Sequence, residues 1–196
     1  MNKPEEHHHD SPAALRAEAL EQLLTAKGLL TAEAIDNVIE QFQERVGPLN
    51  GARIVARAWT DPDFRGRLLE DGTRAIEPWA FEGGQVDKLV VVANEPGVHN
   101  VVVCTLCSCY PWALLGLPPK WYKDPAYRSG IVRQPRRVLA EMGLQLPEAT
   151  RINVWDSSAE IRYLVLPEQP SGTEGMSEEE LTALVTRDAM IGVAVL

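Results

Sequence analysis

All three cysteines of this 196-residue chain lie in one hexapeptide, Cys104 to Cys109, inside the stretch "VCTLCSCYPW" (103–112). Thiols gathered this tightly cannot staple distant parts of a chain, so no disulfide framework can hold the fold. The chain must therefore stand on a buried apolar core, and its length and 45% apolar content are sufficient for one. The β-branched run "NVVVC" (100–104) leads straight into the cysteines, so a buried strand is expected to support the cysteine loop.

The surrounding sequence reads in two parts. Ser11 with Pro12 signals a helix start, and Leu15, Ala19, Leu23 and Leu24 recur at helical spacing up to Gly28. Thr31 caps a second helix that presents Ala34, Ile35, Val38, Ile39 and Phe42 and ends near Gly47-Pro48, while Asp61-Pro62 opens a third, closed by Gly72. From Lys88 the pattern changes to short strands at 88–93, 100–104, 151–155 and 160–167, with a helix around Arg136 to Met142. Ser177 and Glu180 form a capping box that opens one last helix, "SEEELTALVTRDAM". The expected fold is α+β: a mobile tail (1–10), a helical N-terminal arm (11–80) and a metal-binding catalytic domain (81–196).

The net charge of −9 argues against a nucleic-acid or anionic-membrane partner, and no apolar run is long enough to span a bilayer. "MNKPEEHHHD" has no apolar signal core, so a soluble cytoplasmic protein is expected. His7, His8 and His9 sit among acids in that tail and are assigned no role. His99 is then the one histidine left for the body of the chain, and it is read as structural.

Three sulfurs with no second pair fall short of a structural zinc site or an iron–sulfur cluster, each of which usually takes four ligands. A C-x-x-C redox site leaves the third cysteine unexplained. A planar site fits better. Cys107 and Cys109, separated by Ser108 alone, can bind one ion through both sulfurs and through the peptide nitrogens of Ser108 and Cys109. Cys104 can reach one axial position, and the other stays open for substrate. Amide nitrogen binds only after losing its proton, which favours a strongly Lewis-acidic trivalent ion.

The loop resembles the metal claw of nitrile hydratase α subunits. The stretches at 46–72, 115–129 and 154–193 are similar to that family as well. The resemblance implies an α-β-β-α layered domain behind the helical arm, and one Co(III) held by Cys104, Cys107, Ser108 and Cys109. It implies oxidation of Cys107 to the sulfinic acid and of Cys109 to the sulfenic acid, with Cys104 left as thiolate. Thr105 and Tyr110 match the cobalt-type pattern, which makes iron the less favoured metal. The implied catalytic residues are Cys109, Ser108, Gln85 and Tyr110, with Tyr110 and Trp112 lining the pocket and Asp156 and Arg162 as an ionic support. Val86 departs from the family, which usually has glycine after that glutamine. The implied partners are a β subunit that contacts the arm and supplies arginines to the oxidised sulfurs, a cobalt-delivery activator protein, and a nitrile substrate. A cobalt subunit of thiocyanate hydrolase and a metal-carrying binding module are the alternatives.

Overall fold

The computed structural model describes residues 12–40, 49–81, 88–107 and 109–196. The chain divides into two compact units, Met1–Gln41 and Phe42–Leu196. The first contains α1 (Pro12–Ala26) and α2 (Ala32–Glu40), with Gly28 in the left-handed region between them. As expected, Thr31 caps α2, its Oγ1 accepting from the Ala34 N–H at 3.1 Å. Leu15, Leu20, Leu23, Leu29 and Val38 of this unit are exposed.

The second unit opens with α3 (Leu49–Thr60), α4 (Pro62–Glu70) and α5 (Gly72–Ile76), followed by a 3-10 turn (Glu77–Trp79). These helices were expected in the arm, with its boundary at 80. They belong instead to the compact unit that begins at Phe42. The reason is packing: Ile54, Val55, Phe64, Leu68 and Ile76 enter the same buried cluster as the strands. The expected ending of the second helix near Gly47-Pro48 lies outside the described residues.

Four strands follow: β1 (Leu89–Ala93), β2 (Val98–Val103), β3 (Arg151–Asp156) and β4 (Arg162–Leu166). Strands adjacent in sequence do not share a ladder. β1 pairs with β4 and β2 with β3, both in parallel. The turn after β1 closes on a single antiparallel bridge, Glu95 to Val98, and sends the chain into the other sheet. α4 and α5 lie against β1, β2 meets β4 where the sheets face each other, and α8 (Pro135–Glu141) covers β3. This is the α-β-β-α order that the family resemblance implies. Val101, Val103, Leu164 and Val165 are fully shielded between the layers, each contributing about 1.5–3 kcal/mol of apolar burial.

Between the strand pairs run α6 (Trp112–Leu115), a 3-10 turn (Lys120–Lys123), α7 (Pro125–Arg133) and α8. The single C-terminal helix expected from the capping box is two helices, α9 (Glu178–Leu184) and α10 (Arg187–Ile191). The capping box at Ser177 and Glu180 forms. The break comes at Val185 and Thr186, which are extended. Thr186 bonds the Ala189 N–H through its hydroxyl at 3.2 Å and so starts a new helix where one was expected to continue.

A polar chain ties the C-terminal turn to both sheets. His99, buried on β2, meets the Gly192 carbonyl through Nε2 at 2.8 Å and Asn94 through Nδ1 at 3.3 Å. Asn94 Oδ1 accepts from the Asn100 main chain and side chain, and Asn100 Oδ1 accepts from Asn153 and from the Trp155 indole. This is the structural role expected of His99.

Two outcomes follow from this chain of contacts. Gly192 has φ +90°, and a Cβ there would lie 2.0 Å from the Asn100 carbonyl oxygen. Gly192→Ala should therefore cost on the order of 4 kcal/mol or more, read as a fall in denaturation midpoint. Burial holds His99 below the ordinary histidine range, although the Gly192 carbonyl acts in the opposite direction. As pH falls below about 6.5 the unfolded chain takes up the proton first, so thermal stability should decline from there downward. His99→Gln should flatten that part of the melting-temperature profile.

Candidate metal centre

Parallel pairing places the C-terminal ends of β2 and β3 at one edge, with Val103 opposite Asp156. The cysteine loop leaves β2 there and meets the residues that follow β3. Ser157 donates its main-chain N–H to the Val103 carbonyl at 2.7 Å, which extends the ladder one step beyond the strands. Asp156 then grips the first residue inside the loop: Oδ1 accepts the Thr105 N–H at 2.9 Å and Oδ2 the Thr105 hydroxyl at 2.5 Å.

The far side of the loop is held by the 3-10 turn and α7. The Tyr122 hydroxyl donates to the Cys109 carbonyl at 3.1 Å, the Tyr127 hydroxyl to the Val102 carbonyl at 2.8 Å, and Arg128 Nη1 to the Cys107 carbonyl at 3.0 Å. Asp124 caps α7 by accepting from the Ala126 N–H, which sets the start of the helix that carries Tyr127 and Arg128. Tyr122 and Tyr127 are buried, and Trp121 stacks edge-on against Tyr127 at 4.9 Å. The aromatic cluster thus anchors the loop to the core.

Within this frame the three sulfurs converge. Cys104 and Cys109 are buried and Cys107 is exposed. Cys104 Sγ lies 3.5 Å from Cys107 Sγ, which is 3.0 Å from Cys109 Sγ. These separations are far longer than the roughly 2.05 Å of a disulfide, and all three sulfurs fall within 4.8 Å of one another. The Cys107 N–H points at Cys104 Sγ, 3.3 Å away. Burial, the side-chain bond from Cys107 and the neighbouring Cys104 push the Cys109 thiol up to about 12, against the opposing charge of Arg162. Crowded sulfurs of this kind become thiolates together only around a cation. Among the described residues no histidine or carboxylate joins the three cysteines. A zinc site therefore lacks a fourth side-chain ligand, and the donor set fits an ion that also takes main-chain nitrogen.

The other expected site residues separate into three groups. Ser108, Gln85, and His7 to His9 lie outside the described residues. Tyr110 is interior rather than lining an open wall. Its ring meets Tyr122 edge-on at 5.1 Å, its hydroxyl is buried without a hydrogen-bond partner among the described residues, and burial pushes its phenol up. Trp112 opens α6 at the surface beside the loop, where Leu106 is also exposed. Asp156 and Arg162 form no ion pair with each other among the described residues. Asp156 is taken by Thr105, and Arg162 turns to the Ser158 carbonyl four residues back. Asp156 thus braces the loop directly, while Arg162 holds the turn between β3 and β4 and acts on Cys109 through its charge. Arg128, Tyr122 and Tyr127 were not singled out from the sequence. Their segment reads as a polar, aromatic connector, and nothing in its spacing says that it reaches back to residues 102–109.

The sequence model of the family described as "Nitrile hydratase, alpha chain" matches residues 11–194. A low-molecular-weight cobalt-containing nitrile hydratase subunit alpha from Rhodococcus rhodochrous is 54% identical over 182 residues, covering 93% of this chain and 88% of that protein. The thiocyanate hydrolase subunit gamma of Thiobacillus thioparus is 46% identical, covering 90% of this chain and 77% of its own length. Among solved structures, a double mutant of the Fe-type nitrile hydratase from Comamonas testosteroni Ni1 superposes with a TM-score of 0.86 at 44% identity, over 95% of this chain and 92% of that one. By its sequence and by its fold, the chain belongs to the nitrile hydratase α-chain family.

Proposed function

We propose that this chain is the metal-bearing α subunit of a nitrile hydratase, adding water across a C≡N bond to give an amide, with cobalt(III) as its metal. The observation that carries the reading is the convergence of Cys104, Cys107 and Cys109 within 4.8 Å on one braced loop. Cys104, the most deeply buried of the three, would hold the metal from the core side. Cys107 and Cys109 would supply the other two sulfurs, with the peptide nitrogens of Ser108 and Cys109 as further donors. A trivalent ion held there would supply the Lewis acidity that polarises a nitrile.

The chain's own residues have distinct parts. Cys109, as the sulfenate, would present an oxygen to the nitrile carbon, either as the nucleophile itself or as the acceptor that holds an attacking water. One water is consumed per nitrile and both of its hydrogens end on nitrogen; its oxygen ends on carbon when water attacks, or replaces the sulfenate oxygen that carbon has taken when the sulfenate attacks. Ser108 is assigned to donating its hydroxyl to the oxidised sulfurs or the bound ligand, and Gln85 to a hydrogen-bond link to the site. Tyr110 acts indirectly, its buried ring fixing the peptide that follows Cys109. Trp112 and Leu106, at the surface beside the loop, form the rim that a β subunit covers. The exposed leucines of α1 are assigned to the same partner. Loading by a delivery protein and a cytoplasmic setting complete the proposal.

Thr105, Tyr110 and the cobalt-containing relative favour cobalt over iron. A second reading, hydrolysis of thiocyanate, has the support of the Thiobacillus relative. It is the weaker because that match is less identical and covers less of the relative.

Co-expression with the β subunit is expected to give one cobalt per chain by elemental analysis and conversion of acetonitrile to acetamide. Stoichiometric iron or zinc in active protein would refute the metal assignment, and turnover of thiocyanate alone would favour the second reading. Mass spectrometry of the loop peptide should find two added oxygens on Cys107, one on Cys109 and none on Cys104. Alanine at any of the three cysteines should remove both cobalt and activity, since each loses one metal donor. Three unmodified thiols in fully active protein would exclude the sulfenate role.

A further inference from the structure

We infer that Arg128 is a positioning residue of the metal loop: its guanidinium, donating to the Cys107 carbonyl, stabilises the negative charge carried by the Cys107–Ser108 peptide when that peptide's nitrogen holds the metal. The inference rests on the reading of the loop as a claw with main-chain nitrogen donors.

The argument begins with which carbonyl is contacted. The Cys107 carbonyl and the Ser108 nitrogen are two ends of one peptide group, conjugated across its partial double bond. A peptide bound through nitrogen has released that proton to solvent, and its negative charge is shared between nitrogen and carbonyl oxygen. Arg128 Nη1 lies 3.0 Å from that oxygen. Among the described residues the Cys109 carbonyl receives the neutral Tyr122 hydroxyl, and it belongs to the Cys109–Tyr110 peptide, whose nitrogen is not a proposed metal donor. The charged donor therefore sits on a carbonyl conjugated to a proposed ligand, and the neutral donor on one that is not. Charge-assisted hydrogen bonds are roughly twice as strong as neutral ones.

The second part of the argument concerns where the guanidinium charge goes. Arg57 is shared between Asp61 and Glu178, each at 2.9 Å. Arg136 is spent on the main-chain carbonyls after α8. Among the described residues no carboxylate lies within ion-pair distance of Arg128, and its Nε is buried without a hydrogen-bond partner. Among the described residues its guanidinium bonds to the loop, at the Cys107 carbonyl. The neighbouring Tyr127, buried and bonded to Val102, fixes the turn of α7 from which Arg128 reaches out. The turn that carries Arg128 is thus held in place, and among the described residues no acid pairs with its charge.

The test uses the αβ complex loaded with cobalt and three variants: Arg128→Met (no donor), Arg128→Gln (a neutral donor) and Arg128→Lys (a cation). Melting temperature establishes that each is folded. Cobalt loss to a chelator and the sulfur-to-cobalt charge-transfer absorption, normalised per bound cobalt, are then compared. The Met and Gln variants should lose cobalt about tenfold faster or more, the scale of one hydrogen bond to a charged group, with a shifted absorption band. Lys should restore most of both. An unchanged band and unchanged retention in Met and Gln would overturn the role of Arg128. Equal impairment in all three variants with an unchanged band would also overturn it, because it would make Arg128 only a tether. Should Met fail to fold, the comparison of Gln with Lys decides alone. X-ray absorption of the wild-type complex separates the two levels: cobalt without nitrogen neighbours would overturn the claw reading itself, whatever the variants do.

Discussion

Everything at the metal loop depends on the parallel ladder between β2 and β3. Pairing in that sense brings the ends of both strands to one edge, so that what leaves Val103 must meet what leaves Asp156. An antiparallel hairpin would have put the loop's support at a turn, with a sheet edge exposed beside it. Here the carboxylate that ends β3 takes both the amide and the hydroxyl of Thr105, and the next residue continues the ladder onto the last valine of β2. Binding geometry built on strand ends is stiffer than geometry built on free loops.

The second constraint is imposed from the opposite side. Carbonyls of residues 102, 107 and 109 are each met by a side chain from the segment 122–128. Two of those donors are phenols rooted in the core, and the third is the Arg128 cation. The loop is thus suspended between a carboxylate that holds an N–H and a set of donors that hold C=O groups. Opposed bonds of this kind fix the peptide planes, which matters where main-chain nitrogen is to serve as a ligand.

The elements themselves were largely legible. β-branched runs, Asp61 and Thr31 as caps, and the Ser177–Glu180 box each act locally, and each forms where the pattern places it. What was not legible is what depends on distance. Nothing local distinguishes a β1–β2 hairpin from two strands sent to different sheets, and the outcome turns on which faces are buried. The same limit explains the arm boundary: α3 to α5 are amphipathic in the way arm helices are, and only the burial of Ile54 and Leu68 shows which unit they join. At Thr186 a hydroxyl that competes for a main-chain N–H outweighed a helical pattern. In the site, the cysteines were readable because their chemistry is compressed into six residues. The expected link between Asp156 and Arg162 did not show that Asp156 holds Thr105 while Arg162 turns to Ser158, and Arg128 gave no local signal.

The parallel ladder also sets an order of events during synthesis. The partner of Val103 is Asp156, more than fifty residues later in the chain, and closing so large a loop is a slow, non-local step. Until it closes, Thr105 lacks its clamp, and the Tyr122, Tyr127 and Arg128 donors have no fixed target. The three thiols therefore emerge from the ribosome well before the frame that gathers them exists. A metal that met the loop at that stage would find its donors neither gathered nor oriented. Selective loading thus belongs to the folded chain, after β3 has docked.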